Sequence, residues 1–237
     1  MENELLFGDC RTRLPQIATG SVDLVLTDPP YNTGIKPGGR LRHFFDDALP
    51  TADYRDLARC VSHELFRVLK ADRASYVFMG WKSVGIWLDE LAGAGFLCKN
   101  VIVWDKVVHG LNYQNYAYTH EFLIFAVKGR FRPRNHLQSN GSYRDVWHVR
   151  RAMRQERSDR PHHETVKPFE LIRRPIEHAS EVGDVVLDPF AGSGTTCVVA
   201  KTLGRRYLGI ERDPKYFRLS LRRLREVSAP FPVGVGA

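Results

Sequence analysis

An α/β fold, with a mostly parallel sheet covered by helices on both faces, is what this sequence predicts, and three observations carry that reading. Short apolar runs recur along the chain, at 22–27, 75–79, 100–104, 121–127 and 184–187. Between several of them lie segments whose apolar residues return every three or four positions, the mark of a helix with one buried face. Strands that alternate with helices favour parallel pairing, because each crossover lays a helix on the sheet. The two segments richest in chemistry, around Asp28 and Asp188, each close an apolar run. Ligands of such sheets bind beyond the carboxyl ends of the strands.

Taken in order, residues 22–27 read as a buried strand, ended by the prolines at 29 and 30. Tyr54, Leu57, Val61, Leu65 and Val68 recur at helical spacing and mark the next helix. A strand at 75–79, a helix near 83–91 and strands at 100–104 and 121–127 follow. The stretch at about 128–160 shows little periodicity and reads as an insertion in a single domain covering 1–237. After it come a helix over about 168–178, a strand, glycine turn and helix over 184–203 with Gly204 as its stop, and a strand at 206–210. The last helix opens at Asp213-Pro214, where aspartate is a good cap and proline suits the first turn. A chain of 237 residues, 43% of them hydrophobic, can bury one such core with little left for a second.

The first chemical segment, Asp28-Pro29-Pro30-Tyr31, sets a carboxylate, rigid backbone carbonyls and an aromatic face at one strand end. That set suits an exocyclic amine on a flat heterocycle: the oxygens accept its hydrogens while the ring stacks on the base. A strand followed by a Pro-Pro turn and a surface tyrosine would give the same residues without a ligand.

The second segment runs Asp188-Pro189-Phe190-Ala191-Gly192-Ser193-Gly194-Thr195-Thr196. Glycines at 192 and 194 let backbone approach a ligand closely, and the helix start beyond them offers N–H groups to an anion. Nineteen residues after Gly192 comes Glu211, at the offset where nucleotide-binding α/β folds hold ribose hydroxyls. Cys197 stands where a dinucleotide fingerprint needs its third glycine, and no Gly-Lys-Ser/Thr run exists for a phosphate loop. A nucleoside with a small anionic head remains, and S-adenosylmethionine fits. A purely structural glycine turn is the competing account.

Together the two segments resemble the S-adenosylmethionine-dependent DNA amino-methyltransferases, in the order, called beta, where the catalytic tetrapeptide precedes the cofactor loop. The resemblance spans roughly residues 5–227 and implies a Rossmann-like methyltransferase sheet. It implies that Asp28, Pro29, Pro30 and Tyr31 grip a flipped-out adenine, and that Asp188, Phe190, Gly192, Gly194, Thr195 and Glu211 line the S-adenosylmethionine site. Phe7-Gly8-Asp9-Cys10 is similar to the family's N-terminal Gly-Asp element, which would bring Asp9 to the cofactor. Thr165-Val166-Lys167-Pro168 resembles its helix-opening motif; Val166 departs from the common glutamine, which leaves Lys167 as the contact there. The implied activity is site-specific N6-methylation of adenine in double-stranded DNA. Two alternatives stay open: cytosine N4-methylation, whose enzymes by resemblance more often carry Ser at the position of Asp28, and a non-catalytic DNA-binding module that keeps the cofactor pocket. Carbon-5 cytosine methylation is disfavoured, since no Pro-Cys dipeptide exists here.

The net charge of +8 is unevenly placed: from Lys128 to Arg160 ten basic residues face three acidic ones. Arg130, Arg132, Arg134, Arg144, Arg150, Arg151 and Arg154, interleaved with Phe131, Tyr143, Trp147 and His148, suit contact with DNA phosphates and bases, in the region where the resemblance puts target recognition. A solvated basic loop would have the same composition. Residues 35–43, with a Gly-Gly pair, suit a flap over DNA, and Tyr113, Tyr116 and Tyr118 within 109–120 suit base stacking. The four cysteines, Cys10, Cys60, Cys98 and Cys197, show neither metal nor disulfide spacing and read as buried small hydrophobes. No apolar stretch reaches a membrane span and the first residues are acidic, so the expectation is a soluble, cytoplasmic, nucleoid-associated protein without a metal. The resemblance adds a homodimer and a cognate restriction endonuclease as partners to look for.

Overall fold

The computed structural model describes residues 3–34, 48–108, 116–134, 144–151 and 167–227. Strand β1 (Glu4–Phe7) leads into a short helix α1 (Cys10–Arg13), then strand β2 (Val22–Thr27), helix α2 (Thr51–Val68) and strand β3 (Leu69–Met79). Helix α3 (Val84–Gly93) is followed by strands β4 (Leu97–Asp105), β5 (His120–Lys128) and β6 (Val146–His148). Helix α4 (Phe169–Ala179), strand β7 (Val185–Asp188), helix α5 (Thr195–Thr202), strand β8 (Arg206–Glu211) and helix α6 (Pro214–Glu226) complete the chain.

Among the described residues, eight strands form one sheet in the order β1-β8-β7-β2-β3-β5-β4-β6. Its ladders are parallel except where β5 pairs with β3 and β4, so β5 runs against the rest. β2 and β7 are buried at every position, as strands covered on both faces must be. Their side chains alternate between two cores. One packs Val25, Val185 and Leu187 under α2 and α3 through Tyr54, Val61, Leu65, Trp87 and Leu91. The other packs Leu24, Leu26 and Val186 under α4 and α5 through Leu171, Ile176 and Val199.

The sheet changes direction between β2 and β7, because β2 continues through α2 to β3 on one side and β7 through α5 to β8 on the other. A crevice at the carboxyl ends of strands follows from such a switch. Asp28 follows the end of β2 and Asp188 ends β7, so the crevice receives both chemical segments.

Three expectations change. Cys10 and Cys197 are buried, but Cys60 and Cys98 are exposed. Cys60 lies off the stripe of Tyr54, Ala58, Val61 and Leu65 that α2 turns inward, and Cys98 lies where β4 is not yet flanked by β6, whose pairing begins at Val103. The basic stretch holds a strand, β6, too short for periodicity to reveal. An additional strand, β1, closes the far edge against β8. No helix among the described residues is long and apolar enough to cross a membrane.

Candidate functional site

The tetrapeptide after β2 is pinned by its backbone. The Tyr54 hydroxyl donates to the Pro30 carbonyl at 2.7 Å and itself accepts from Trp87 Nε1 at 3.0 Å, while the Ser83 hydroxyl donates to the Tyr31 carbonyl. No tether of this kind reaches the Pro29 carbonyl among the described residues. Gly80 packs tightly beside them: a Cβ there would stand 3.0 Å from the Tyr31 ring. The buried hydroxyls of Tyr54 and Ser83 thus fix the direction of the strand end, and the Asp28 carboxylate with it.

That carboxylate stands in a cluster of opposite charges. Tyr31 donates its hydroxyl to Asp28 Oδ1 at 2.7 Å or to Glu121 Oε2 at 3.0 Å, one proton serving one acceptor at a time. Lys167 Nζ lies 2.7 Å from Asp28 Oδ2 and 3.1 Å from Glu121 Oε2, and Lys106 Nζ holds the other Glu121 oxygen at 2.9 Å. Burial works to raise the Glu121 carboxyl, but the two ammonium groups overcome it and bring it down to about 2. Burial pulls Lys167 the other way, and Asp28 and Glu121 win, so its ammonium is held above the ordinary lysine range. The Tyr31 hydroxyl is pushed well up by burial and by both carboxylates, so it stays protonated as a donor. Lys167 is walled by the rings of Phe78, Tyr31 and Trp104, 5.0, 5.3 and 5.7 Å from Nζ. The resemblance makes Lys167 a cofactor contact; in the structure its ammonium engages Asp28, Glu121 and Tyr31.

The glycine loop is braced from three sides. Asp188 is buried, and its Oδ1 accepts from Thr27 Oγ1 at 2.7 Å and from the Phe190 amide at 3.1 Å. Burial lifts the Asp188 carboxyl to about 6 against the pull of those donors. The Glu211 carboxylate, pushed up by its own burial, accepts from the Gly192 amide at 2.7 Å and the Asp213 amide at 2.6 Å. From α6, Ser220 donates to the Gly192 carbonyl and Arg223 Nη1 reaches the Ser193 carbonyl at 2.6 Å and Thr195 Oγ1 at 3.1 Å. Gly192 and Gly194 both have left-handed backbone, φ 52° and 76°. A Cβ on Gly194 would strike Ser220 at 2.8 Å, whereas one on Gly192 would meet only the Phe190 carbonyl at 3.8 Å. The loop is therefore packed behind Gly194 and open in front of Gly192. β1 brings Asp9 alongside, through the Phe7 to Glu211 register and the Gly8 amide bond to the Glu211 carbonyl at 3.0 Å. Asp9 caps α1, and the Arg11 guanidinium on it lowers its carboxyl.

The arginines of the basic stretch divide. Arg150 and Arg151 follow the carboxyl end of β6, and the Arg151 amide donates to the carbonyl of Lys106, itself part of the charged cluster. Arg144 sits just before β6, exposed. Arg130, Arg132 and Arg134 follow the end of β5, and because β5 is antiparallel they come out at the opposite end of the sheet from Asp28; the Arg134 amide bonds the His178 carbonyl there. The structure thus does not bring these three to the crevice, a correction to the expectation that the whole basic stretch forms one face. Arg154, residues 35–43, the tyrosine at 113 and the first half of the helix-opening motif lie outside the described residues.

Reasoning from sequence missed Glu121, Lys106, Tyr54, Ser83 and Gly80. An acid opening an otherwise apolar strand and a lysine directly after one were the available signals for the first two. It also passed over Trp81, whose exposed ring lies nearly parallel to that of Tyr118, centroids 6.5 Å apart, just beyond Gly80.

A DNA methylase family model, covering N6 and N4 methyltransferases, matches residues 22–222. The DNA adenine methyltransferase YhdJ of Escherichia coli is 31% identical, over 93% of this chain and 82% of its own. The type II methyltransferase M.HinfI of Haemophilus influenzae is 30% identical, over 95% of this chain and 69% of its own. Among solved structures, the Thermus thermophilus protein TTHA0409 complexed with S-adenosyl-L-methionine superposes with a TM-score of 0.69 at 28% identity, covering 95% of this chain and 94% of that one.

Proposed function

This chain belongs to the N6/N4 DNA methylase family, and from that premise we propose that it transfers a methyl group from S-adenosylmethionine to the N6 amine of a flipped-out adenine in double-stranded DNA. The observation that carries the reading is the bond between Thr27 and Asp188, which sets the Asp28 segment and the glycine loop at adjoining strand ends. Adenine is favoured over cytosine by the aspartate at position 28 and by the relative named as a DNA adenine methyltransferase.

The residues present fit the cofactor. The open side of Gly192 leaves room beside the loop, and Glu211 keeps lone pairs for hydroxyl groups after accepting its two amides. Phe190, Gly192, Thr195, Glu211 and Asp9 are the residues assigned to hold it, with Asp188 and Gly194 holding the loop in shape. When bound, S-adenosylmethionine supplies an electrophilic methyl group.

The chain's own part is to make a poor nucleophile react. An adenine amine shares its lone pair with the ring, so the site must favour a pyramidal nitrogen carrying developing positive charge. Asp28 and the Pro29 carbonyl accept the two amine hydrogens and release the lone pair. The carboxylate then opposes the charge growing on nitrogen, in a half-buried setting where such an interaction exceeds its worth in water. The proton that nitrogen sheds has Asp28 as its nearest base. Leaving the duplex costs the base a few kcal/mol, and stacking on an aromatic face returns about 1–3 kcal/mol. Arg150 and Arg151 at the crevice are assigned to DNA phosphate, and the exposed Trp81 and Tyr118 rings to bases at its mouth. The basic stretch is read as the target-recognition insertion of one domain, and M.HinfI, a type II enzyme, makes a cognate endonuclease the partner to seek.

Incubation with methyl-labelled cofactor and duplex DNA, followed by nucleoside analysis, tests the reading. N6-methyladenine is the expected product; N4-methylcytosine would transfer the same machinery to the other amine, and DNA binding without label would leave a binding module.

A further inference from the structure

Asp28 is the most open member of the charged cluster, with 31% of its side chain exposed against 19% for Glu121 and 11% for Lys167. Both of its oxygens are nonetheless occupied, Oδ1 by the Tyr31 hydroxyl and Oδ2 by the Lys167 ammonium, each at 2.7 Å. A carboxylate in contact with an ammonium ion has little charge left to offer a nitrogen becoming cationic.

Lys167 has a second seat within reach. Glu121 Oε2 already stands 3.1 Å from its Nζ, on the more buried side of the cluster. Lys106 holds the other Glu121 oxygen at 2.9 Å, so Glu121 stays in place when the ammonium moves. The rings of Phe78, Tyr31 and Trp104 around Nζ accept a cation at either seat.

We infer that Glu121 is a positioning residue that takes the Lys167 ammonium from Asp28 when the target amine arrives, so that the amine hydrogen replaces the lysine on Oδ2 and the Asp28 charge serves the reacting nitrogen. Before that moment Lys167 holds Asp28 in its orientation in a site without a base. The inference rests on the amino-methyl-transfer reading above and assigns the exchange that reading requires.

The test is single-turnover methylation of duplex DNA by the full chain and by Glu121→Gln, Lys167→Met and the double variant, with cofactor affinity, DNA affinity and cooperative unfolding measured for each. Glu121→Gln strands the ammonium on Asp28, so the methylation rate falls at least about tenfold while cofactor and DNA affinities stay within about threefold. Lys167→Met lowers the rate on its own account, since Asp28 loses the group that orients it, and adding Glu121→Gln to it costs less than about twofold further, because no ammonium remains to be received. An unchanged rate in Glu121→Gln, or an equal Glu121 effect with and without Lys167, would overturn the inference. Should Glu121→Gln fail to fold, Glu121→Asp, which keeps the charge but draws the second seat back from Lys167, replaces it in both backgrounds and is read by the same comparison. A parent chain that methylates no DNA amine would fail the underlying reading, whereas an N4-methylcytosine product would leave this exchange standing, since Asp28 faces either amine.

Discussion

Thr27 Oγ1 donates to Asp188 Oδ1 across 2.7 Å, joining residues 161 positions apart at the ends of neighbouring parallel strands. Thr27 precedes the tetrapeptide and Asp188 opens the glycine loop, so one buried bond sets the spacing between the two halves of the site. Replacing Thr27 by Val keeps the shape and removes the donor, at an expected cost of about 1–3 kcal/mol. A Thr27→Val variant with unaltered urea stability and turnover would show that the strands alone set that spacing.

The same pair predicts a pH dependence. Burial lifts the Asp188 carboxyl from 3.8 to about 6, so between those values the folded chain holds a proton that the unfolded chain has released. The stability this group contributes is complete below pH 3.8 and is lost as pH rises through 6, by about 3 kcal/mol. Asparagine accepts the Thr27 and Phe190 donors without ionising. Asp188→Asn should therefore flatten the fall in urea stability over that window relative to the parent, and identical slopes in the two proteins would refute the burial account.

Asp28→Asn tests the acceptor itself. The amide retains one oxygen for Tyr31 but loses the charge opposing a cationic nitrogen, which predicts a drop in methylation rate of about 10²–10³. Cofactor affinity, measured by calorimetry, should stay within about threefold, because the loop is braced by Asp188, Glu211, Ser220 and Arg223 rather than by Asp28. A matching loss of cofactor affinity would mean that Asp28 belongs to the other half of the site.

The two glycines of the loop should separate stability from binding. Alanine at 194 would put a Cβ 2.8 Å from Ser220 on backbone already at φ 76°, so Gly194→Ala should destabilise the chain by about 1–3 kcal/mol or more. Alanine at 192 meets open space and mainly the strain of φ 52°, about 1–2 kcal/mol. Its methyl group would nevertheless occupy the room assigned to the cofactor. Gly192→Ala should therefore weaken S-adenosylmethionine binding more than it lowers urea stability, and unaltered affinity would remove Gly192 from the binding surface.

The sequence made the strand ends legible because prolines at 29 and 30 and glycines at 192 and 194 punctuate them in ways that apolar runs alone do not. The meeting of Asp28 with Asp188 followed from a general property of parallel sheets, that ligand sites gather at carboxyl ends. What stayed hidden depended on strand direction and on partners chosen in three dimensions. Nothing in residues 121–127 says that β5 runs antiparallel, yet that direction brings Glu121 to the crevice and carries Arg130, Arg132 and Arg134 away from it. The pairing of Lys167 with Asp28 joins a helix-opening segment to a strand end 139 residues earlier, which no local pattern encodes.

That division of the arginines yields the last prediction. Each phosphate contact releases counterions and adds about 0.9 to the slope of log affinity against log salt. The Arg151 amide bonds the carbonyl of Lys106 at the crevice and Arg150 directly precedes it, so replacing both by Ala should weaken binding to all duplexes and lower the slope by about 2. Arg130 and Arg132 are as exposed but emerge at the far end of the sheet, and their paired replacement should leave the slope unchanged. The two double variants carry the same loss of charge, so a general field effect would alter both alike. Equal changes in slope would show that DNA wraps around the sheet rather than resting on the end that holds Asp28.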